Sequence, residues 1–390
     1  MIKRLLLFVF LLLPLSMFSQ TDTTDYNDIK VSILTCADGN QMYAAFGHCA
    51  FRVVSESRNI DYVYNYGTFN YKQKSFYIKF VRGFLNYHVS KATYSRFCIE
   101  YDRSGREIKE QVLNLTSQER QSMFEYLEWN SLEENKYYKY NFLEDNCATR
   151  IRDIIEKICK ENVKFSKEQY TESFRDMIHS HLTEMPWFRF GVDLLMGLPV
   201  DKIADCRTAM FLPEHVFTTL NNSTITHNGI EEPLVLETNT LLEFEQPVDK
   251  SDFFTFLSPS LLFWMMFSLL ALITFYEIKR GKLYAIIDRI LLFIVGLFGI
   301  LFVFMWVGTE HTVTVNNLNI LWAIPIHIVA SFNIKNYSQF WTKYFKVTAV
   351  ITLIVLLFSA LLPQQFDIGF YPLMCILILR LSRLGFCKRY

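Results

Sequence analysis

The sequence has no surplus of charge: 39 Lys and Arg stand against 39 Asp and Glu in 390 residues. It has no basic stretch with interleaved aromatics ahead of its apolar C-terminal part, which excludes a nucleic-acid partner. It has no Cys-x-x-Cys and no His-x-x-x-His pair, so no metal site of ordinary ligand spacing is expected, and no cofactor. It has no internal repeat and no low-complexity tract, which excludes a solenoid. What it does have is apolar mass: 51% hydrophobic and 16% aromatic residues, with 36 Phe and 21 Tyr, concentrated after residue 252.

The first four residues are Met-Ile-Lys-Arg, and Leu5 to Leu15 is almost continuously apolar. A basic start before a short apolar run predicts a secretory signal over 1–19, cut near Ser19-Gln20; an uncleaved anchor is the competing reading. No Cys stands at that junction, so the chain is not itself expected to be a lipoprotein. From residue 253 five apolar segments follow, at about 253–276, 290–307, 318–334, 346–362 and 368–386. Each is near the ~20 residues that cross a bilayer as a helix. The connecting loops alternate in basic charge: Lys279, Arg280, Lys282 and Arg289 in the first, none in 308–317, Lys335 and Lys343 in the third, none in 363–367, and Lys388 and Arg389 in the tail. Basic loops stay in the cytoplasm, which places residues 20–252 outside and the C-terminus inside. The expectation is an α+β exported domain at 20–252, then an all-α bundle of five transmembrane helices at 253–390.

Six of the eight cysteines, at 36, 49, 98, 147, 159 and 206, fall in the exported part, where disulfides are permitted but spacing does not assign them. Strands are expected at Val31–Leu34, from His48 to Val54 and at Tyr62–Tyr66, the last two as a hairpin or adjacent pair. Thr116-Ser117-Gln118-Glu119 matches a capping box and opens a helix over 117–130. A helix is also expected at 171–183. Pro186 and the Gly197-Leu198-Pro199 turn read as breaks, and 221–251 as extended chain.

The stretch that organises this chemistry is Asp145-Asn146-Cys147-Ala148-Thr149-Arg150. Ile151, Ile154, Ile155 and Ile158 follow at helical spacing, so Cys147 stands in the first turn of a helix with a core face, capped by Asp145 or Asn146. The positive end of the helix dipole favours thiolate there. Cys147 is therefore the candidate nucleophile, against the plainer reading of a small buried hydrophobe. A cysteine nucleophile needs a base within hydrogen-bond reach. His48 is the best framed, following Gly47 at a strand start; His88, His179, His181 and His215 lack such framing. Asn65 on the neighbouring strand is expected to orient the imidazole, with Asp61 as the alternative. The oxyanion donors would be the Cys147 backbone N–H and the side chain of Asn146. Cys36, beside a turn, is a second site residue or a disulfide partner, and Cys49 points away from His48.

Phe46-Gly47-His48 with Arg52, then Tyr64-Asn65-Tyr66-Gly67-Thr68-Phe69, then Asp145 to Arg150, resemble the Lnb family of bacterial lipoprotein N-acyltransferases. The order of His strand before Cys helix also resembles circularly permuted papain-like enzymes. The resemblance implies a Cys–His pair falling on Cys147 and His48, in an inner-membrane protein whose N-terminal domain is periplasmic. It implies a phospholipid acyl donor and a diacylglyceryl apolipoprotein acceptor. The outer loop Gly308-Thr309-Glu310-His311 with Asn316, Asn317 and Asn319 is similar to a family feature, whereas Gln41 stands where an acidic residue is expected. Arg52, Cys36, His311 and Asn317 are the expected substrate-binding residues. His327 joins them because polar groups inside spans are costly and often functional. Trp306 and Trp322 are expected as interfacial anchors. Two other functions use the same residues or fewer: a membrane-tethered cysteine peptidase or amidase of the cell envelope, and a non-catalytic binding module.

Overall fold

The computed structural model describes residues 27–167, 169–244 and 257–387. The expected signal over 1–19 and the domain boundary at 252–253 lie outside the described residues. The N-terminal part is built on a seven-stranded sheet. Its strands are β1 (Lys30–Cys36), β2 (His48–Ser55), β3 (Ile60–Thr68), β4 (Asn86–Thr93), β5 (Ile108–Leu113) and β6 (Tyr137–Lys139), and it is completed by β10 (Val235–Leu242). The spatial order is β10-β5-β1-β2-β3-β4-β6, and every neighbouring pair is antiparallel. The expected β2–β3 hairpin is present, with Phe51 opposite Tyr64 and Val53 opposite Tyr62. A small second sheet joins β7 (Val163–Lys164), β8 (Thr224–His227) and β9 (Ile230–Pro233).

Alternation along the strands gives the sheet two apolar faces. Val31, Ile33, Phe51, Val53, Tyr64 and Tyr66 point to one side. There they pack against the Ser117–Ser131, Cys147–Cys159 and Pro213–Asn221 helices. Leu34, Cys36, Ala50 and Val63 point to the other, under Phe97 and Tyr101 of the Tyr94–Arg103 helix. The Ser117 helix starts as its sequence requires: Thr116 Oγ1 accepts from the Glu119 N–H, and the Glu119 carboxylate accepts from the Thr116 N–H.

Among the described residues, three helices are long and apolar enough to cross a membrane: Pro259–Arg280, Ala285–Val307 and Gln339–Leu357. The last helix, Phe370–Phe386, has 17 residues and carries buried Arg380 and Arg383. Arg380 is paired with Glu277 and Asp288 of the first two helices. The third expected span is not a helix throughout. It is a 3-10 turn at Leu318–Leu321, an irregular stretch through Pro325, and a short helix at His327–Phe332. Glycines on the neighbouring helix let this backbone in: a Cβ on Gly299 would lie 2.3 Å from the Ala323 carbonyl oxygen, and one on Gly296 2.5 Å from the Ile328 nitrogen. Irregular backbone at membrane depth is tolerated where protein covers it, and Trp322, Ala323, Ala330 and Ile334 of this stretch are buried. Of the five expected helical spans, the third is therefore broken in the structure.

The two parts are joined by a segment that the sequence presents as a break. Pro186 is the first residue of a helix, Pro186–Leu195, a position where proline's missing N–H costs nothing. Leu194 and Phe190 of this helix pack into the apolar cluster of the C-terminal helices. Arg175, from the Phe174–His181 helix, pairs with Asp193 at 2.5 Å and Asp201 at 2.8 Å. Asn319 Nδ2 donates to the Asp193 carbonyl at 3.2 Å.

Candidate active site

The Cys147–Cys159 helix begins at the thiol itself. Asn146 is its cap: Oδ1 accepts from the Ala148 and Thr149 N–H groups at 2.8 and 2.9 Å, and Thr149 Oγ1 accepts from the Asn146 N–H. Asn146 Nδ2 donates to the Phe142 and Phe211 carbonyls at 2.7 and 2.8 Å. Both ends of the amide are committed, so Asn146 is a cap and a cross-link, not the free oxyanion donor expected from sequence. Asn146→Ala should cost about 2 kcal/mol or more, combining the lost cap with two orphaned carbonyls. Thermal melting checks this, and an unchanged melting temperature would remove Asn146 from the structural account.

His48 opens β2, and Asn65 stands on β3 just before an irregularity in the β3–β4 register between Asn65 and Thr68. Within that irregularity Gly67 takes the left-handed φ of +89°, and a Cβ there would lie 3.7 Å from Cys147 Cβ and 3.9 Å from His48 Cε1. Bulges of this kind re-aim side chains next to functional sites. Asn65 Oδ1 accepts a hydrogen bond from His48 Nε2 at 2.5 Å. A carbonyl oxygen only accepts, so Nε2 carries the proton and Nδ1 is the basic nitrogen. His48 and Cys147 both border Gly67 and interact electrostatically with each other.

Electrostatics separate Cys147 from the other thiols. Burial pushes the Cys36 thiol up to about 12, and likewise raises Cys49 and Cys98. At Cys147 burial also acts upward, but the His48 charge and hydrogen bond, with the Cys49 and Ala148 N–H groups, outweigh it and bring the thiol below its ordinary range. At His48 burial acts downward, and Cys147 with the Asn65 hydrogen bond outweighs it, so the imidazole is raised. Both shifts favour a thiolate–imidazolium pair.

Residues 18–180 match the family model for the Lnb N-terminal periplasmic domain, and residues 249–389 match the one for the Lnb transmembrane domain. The chain belongs to the Lnb family. No curated protein and no solved structure matched it. The periplasmic domain of this Lnb chain is thus the one that carries Cys147, His48 and Asn65.

The other sequence candidates are placed elsewhere in the Lnb chain. Arg52 is bound by the Asp61 carboxylate at 2.8 and 2.9 Å and by Glu110 at 3.1 Å, and stacks on Tyr94. Its ion pairs are internal, which also removes Asp61 as the partner of His48. Cys36 sits opposite His48 in the β1–β2 register but is a buried free thiol in one cluster with Tyr101, not bridged. Asn317 is buried, donating to the Leu194 carbonyl at 2.9 Å and accepting from the Asn319 N–H at 2.9 Å. It joins the domains rather than opening to substrate. His327 is buried, with Nδ1 2.8 Å from the Tyr344 hydroxyl on the Gln339 helix, an interhelical bond. Trp322 is buried and is no interfacial anchor.

His311 does approach the site region. Its Nε2 is 3.0 Å from the Phe80 carbonyl, and it lines a cavity of about 190 Å³ with Phe80, Tyr87, Tyr140 and Phe142. Tyr140 stacks on Tyr87 with ring centroids 4.3 Å apart and interacts electrostatically with Cys147. Sequence reasoning named Gly67 only within a motif run and missed Tyr87. The signal at Gly67 was its place between Tyr66 and Thr68, where a strand should end. Among the described residues no group of three His, Cys, Asp or Glu side chains is placed to hold a metal ion.

Proposed function

We propose that this protein is an apolipoprotein N-acyltransferase of the bacterial inner membrane. In this reading the chain crosses the membrane five times, the third time through the broken 318–334 segment, and ends in the cytoplasm. The single observation that carries the reading is the Cys147–His48–Asn65 constellation, with its lowered thiol, in a domain docked on a membrane domain. The order of His strand and Cys helix on one sheet is also what a permuted papain-like enzyme requires.

The reaction has two halves. Cys147 thiolate attacks the carbonyl carbon of a phospholipid acyl ester, and the Cys147 backbone N–H offers a donor to the developing oxyanion. His48 Nδ1–H protonates the departing lysophospholipid oxygen as the ester C–O bond breaks, leaving an acyl thioester on Cys147. The free α-amine of the diacylglyceryl N-terminal Cys of an apolipoprotein then attacks the thioester. His48 Nδ1 takes the ammonium proton, the C–S bond breaks, and the product is the N-acylated lipoprotein with Cys147 thiolate restored. Asn65 keeps the imidazole in the tautomer both halves need.

The reading is tested by mass spectrometry of lipoprotein N-termini in cells that depend on this protein: N-acylated termini with it, free amines without it. Free amines in both cases would sink it. The pair also predicts a pH dependence. A lowered Cys147 keeps its thiolate as pH falls, and a raised His48 keeps its proton as pH rises, so the ion pair persists between the two. Alkylation of the Cys147 peptide by iodoacetamide should therefore stay fast below the ordinary thiol range, and His48→Gln should move its midpoint upward. Equal midpoints in both proteins would show that the two groups are not coupled.

A further inference from the structure

Residues 69–84 leave the sheet between β3 and β4 and form an arm whose short helix, Phe76–Val81, buries none of its own residues. Tyr77 is 80% exposed and Ile78 64% exposed, and Phe69, Tyr71, Phe80 and Val81 are exposed as well. A water-soluble surface rarely gathers so many large apolar side chains in one stretch, and such patches mark interaction sites. Basic residues alternate with them: Lys72, Lys74, Lys79 and Arg82. Aromatic and aliphatic side chains interleaved with Lys and Arg suit the boundary between acyl chains and anionic headgroups.

The rest of the fold says what this arm faces. The backbone of the arm is pinned to the transmembrane domain: the Glu310 N–H donates to the Arg82 carbonyl at 3.0 Å, and His311 Nε2 meets the Phe80 carbonyl. Glu310 also pairs with Lys139 at 2.8 Å. The 308–317 loop follows directly on the membrane-crossing helix Ala285–Val307, whose last residues Trp306 and Val307 are exposed. The arm is therefore held at the level where that helix leaves the bilayer. At its other end, Phe69 lies two residues beyond Gly67, which borders both Cys147 and His48. The cavity beside Phe80 is also lined by Tyr87 and Tyr140, and Tyr140 interacts electrostatically with the same thiol.

We propose that the 69–84 arm is a lipid-surface docking element: it seats in the outer leaflet of the membrane and opens an apolar path from that leaflet to Cys147. The occupant of its exposed face is lipid, not a second protein. This depends on the placement of the arm and not on the acyl-transfer reading. A photoreactive benzoylphenylalanine in place of Tyr77 or Ile78 tests it, in the full-length protein in nanodiscs of phosphatidylethanolamine and phosphatidylglycerol carrying radiolabelled phosphatidylethanolamine. The comparison positions are Ile230 and Leu236, exposed residues on β9 and β10. Their strands pair with β8 and β5 of the periplasmic domain. Lipid label at 77 and 78 should exceed that at 230 and 236 by at least about tenfold. Equal label at all four positions, or crosslinks from 77 and 78 to protein alone, would overturn the proposal. Neither outcome touches the mass-spectrometric test of N-acylation, so the two readings fail separately.

Discussion

Cys147→Ala should lower N-acyl transfer by at least about 1,000-fold while leaving the protein folded, because removing a nucleophile costs orders of magnitude in rate. The substitution deletes one sulfur from a side chain that is only half-buried, so its packing cost is about 1 kcal/mol. The cap at Asn146 and the apolar face of Ile151, Ile154 and Ile155 remain. Melting temperature and turnover, measured on the same preparation, separate loss of chemistry from loss of structure. Activity within tenfold of the unsubstituted protein would mean that the thiol is not the nucleophile. Cys36→Ala is the matched control: its thiol is held protonated by burial against Tyr101, and its loss should cost stability with little effect on the chemical step.

Arg175→Met should destabilise the protein by about 3–5 kcal/mol, the cost of breaking a buried ion pair and leaving its carboxylates behind. Arg175 is fully buried, and so is Asp193. The Asp193 carboxylate would keep only His179 at 2.9 Å and a distant Arg189. The same residue's backbone carbonyl accepts from Asn319, and Asp201 accepts from the Gln365 N–H at 2.9 Å. The damage should therefore spread to the joint between the periplasmic and transmembrane domains. Limited proteolysis near residues 196–201 should speed up together with the fall in melting temperature. A melting temperature unaffected by Arg175→Met would show that the ion pairs do not hold the joint.

What could be read from the sequence was whatever depends on neighbours within a few residues. The Ile151, Ile154 and Ile155 period fixed the Cys147 helix and its start. The Thr116–Glu119 box fixed another, and alternation at Phe51 and Val53 fixed β2 and its inward face. The pairing of His48 with Asn65 followed from two adjacent strands. What could not be read depends on partners far along the chain. Asn317 was a polar residue in an outer loop until Leu194, 123 positions away, was seen to take its hydrogen bond. Arg52 belonged to a motif run, but Glu110 and Asp61 claim it. Asn146 offered an amide next to Cys147, and only the Phe211 carbonyl, 65 residues on, shows that the amide has no capacity left. The 318–334 segment was long and apolar enough to be a helix. Its irregular path depends on close approach to Gly296 and Gly299 of another helix, which no local pattern records.

The most direct measurement is the intact mass of the purified protein in nanodiscs, given a phospholipid with one defined acyl chain and no acceptor amine. The account predicts a gain of one acyl residue, mapped to the Cys147 peptide, released by neutral hydroxylamine and absent from Cys147→Ala. An acyl adduct on a different residue, or no adduct in a preparation that goes on to N-acylate an added lipopeptide, would contradict it.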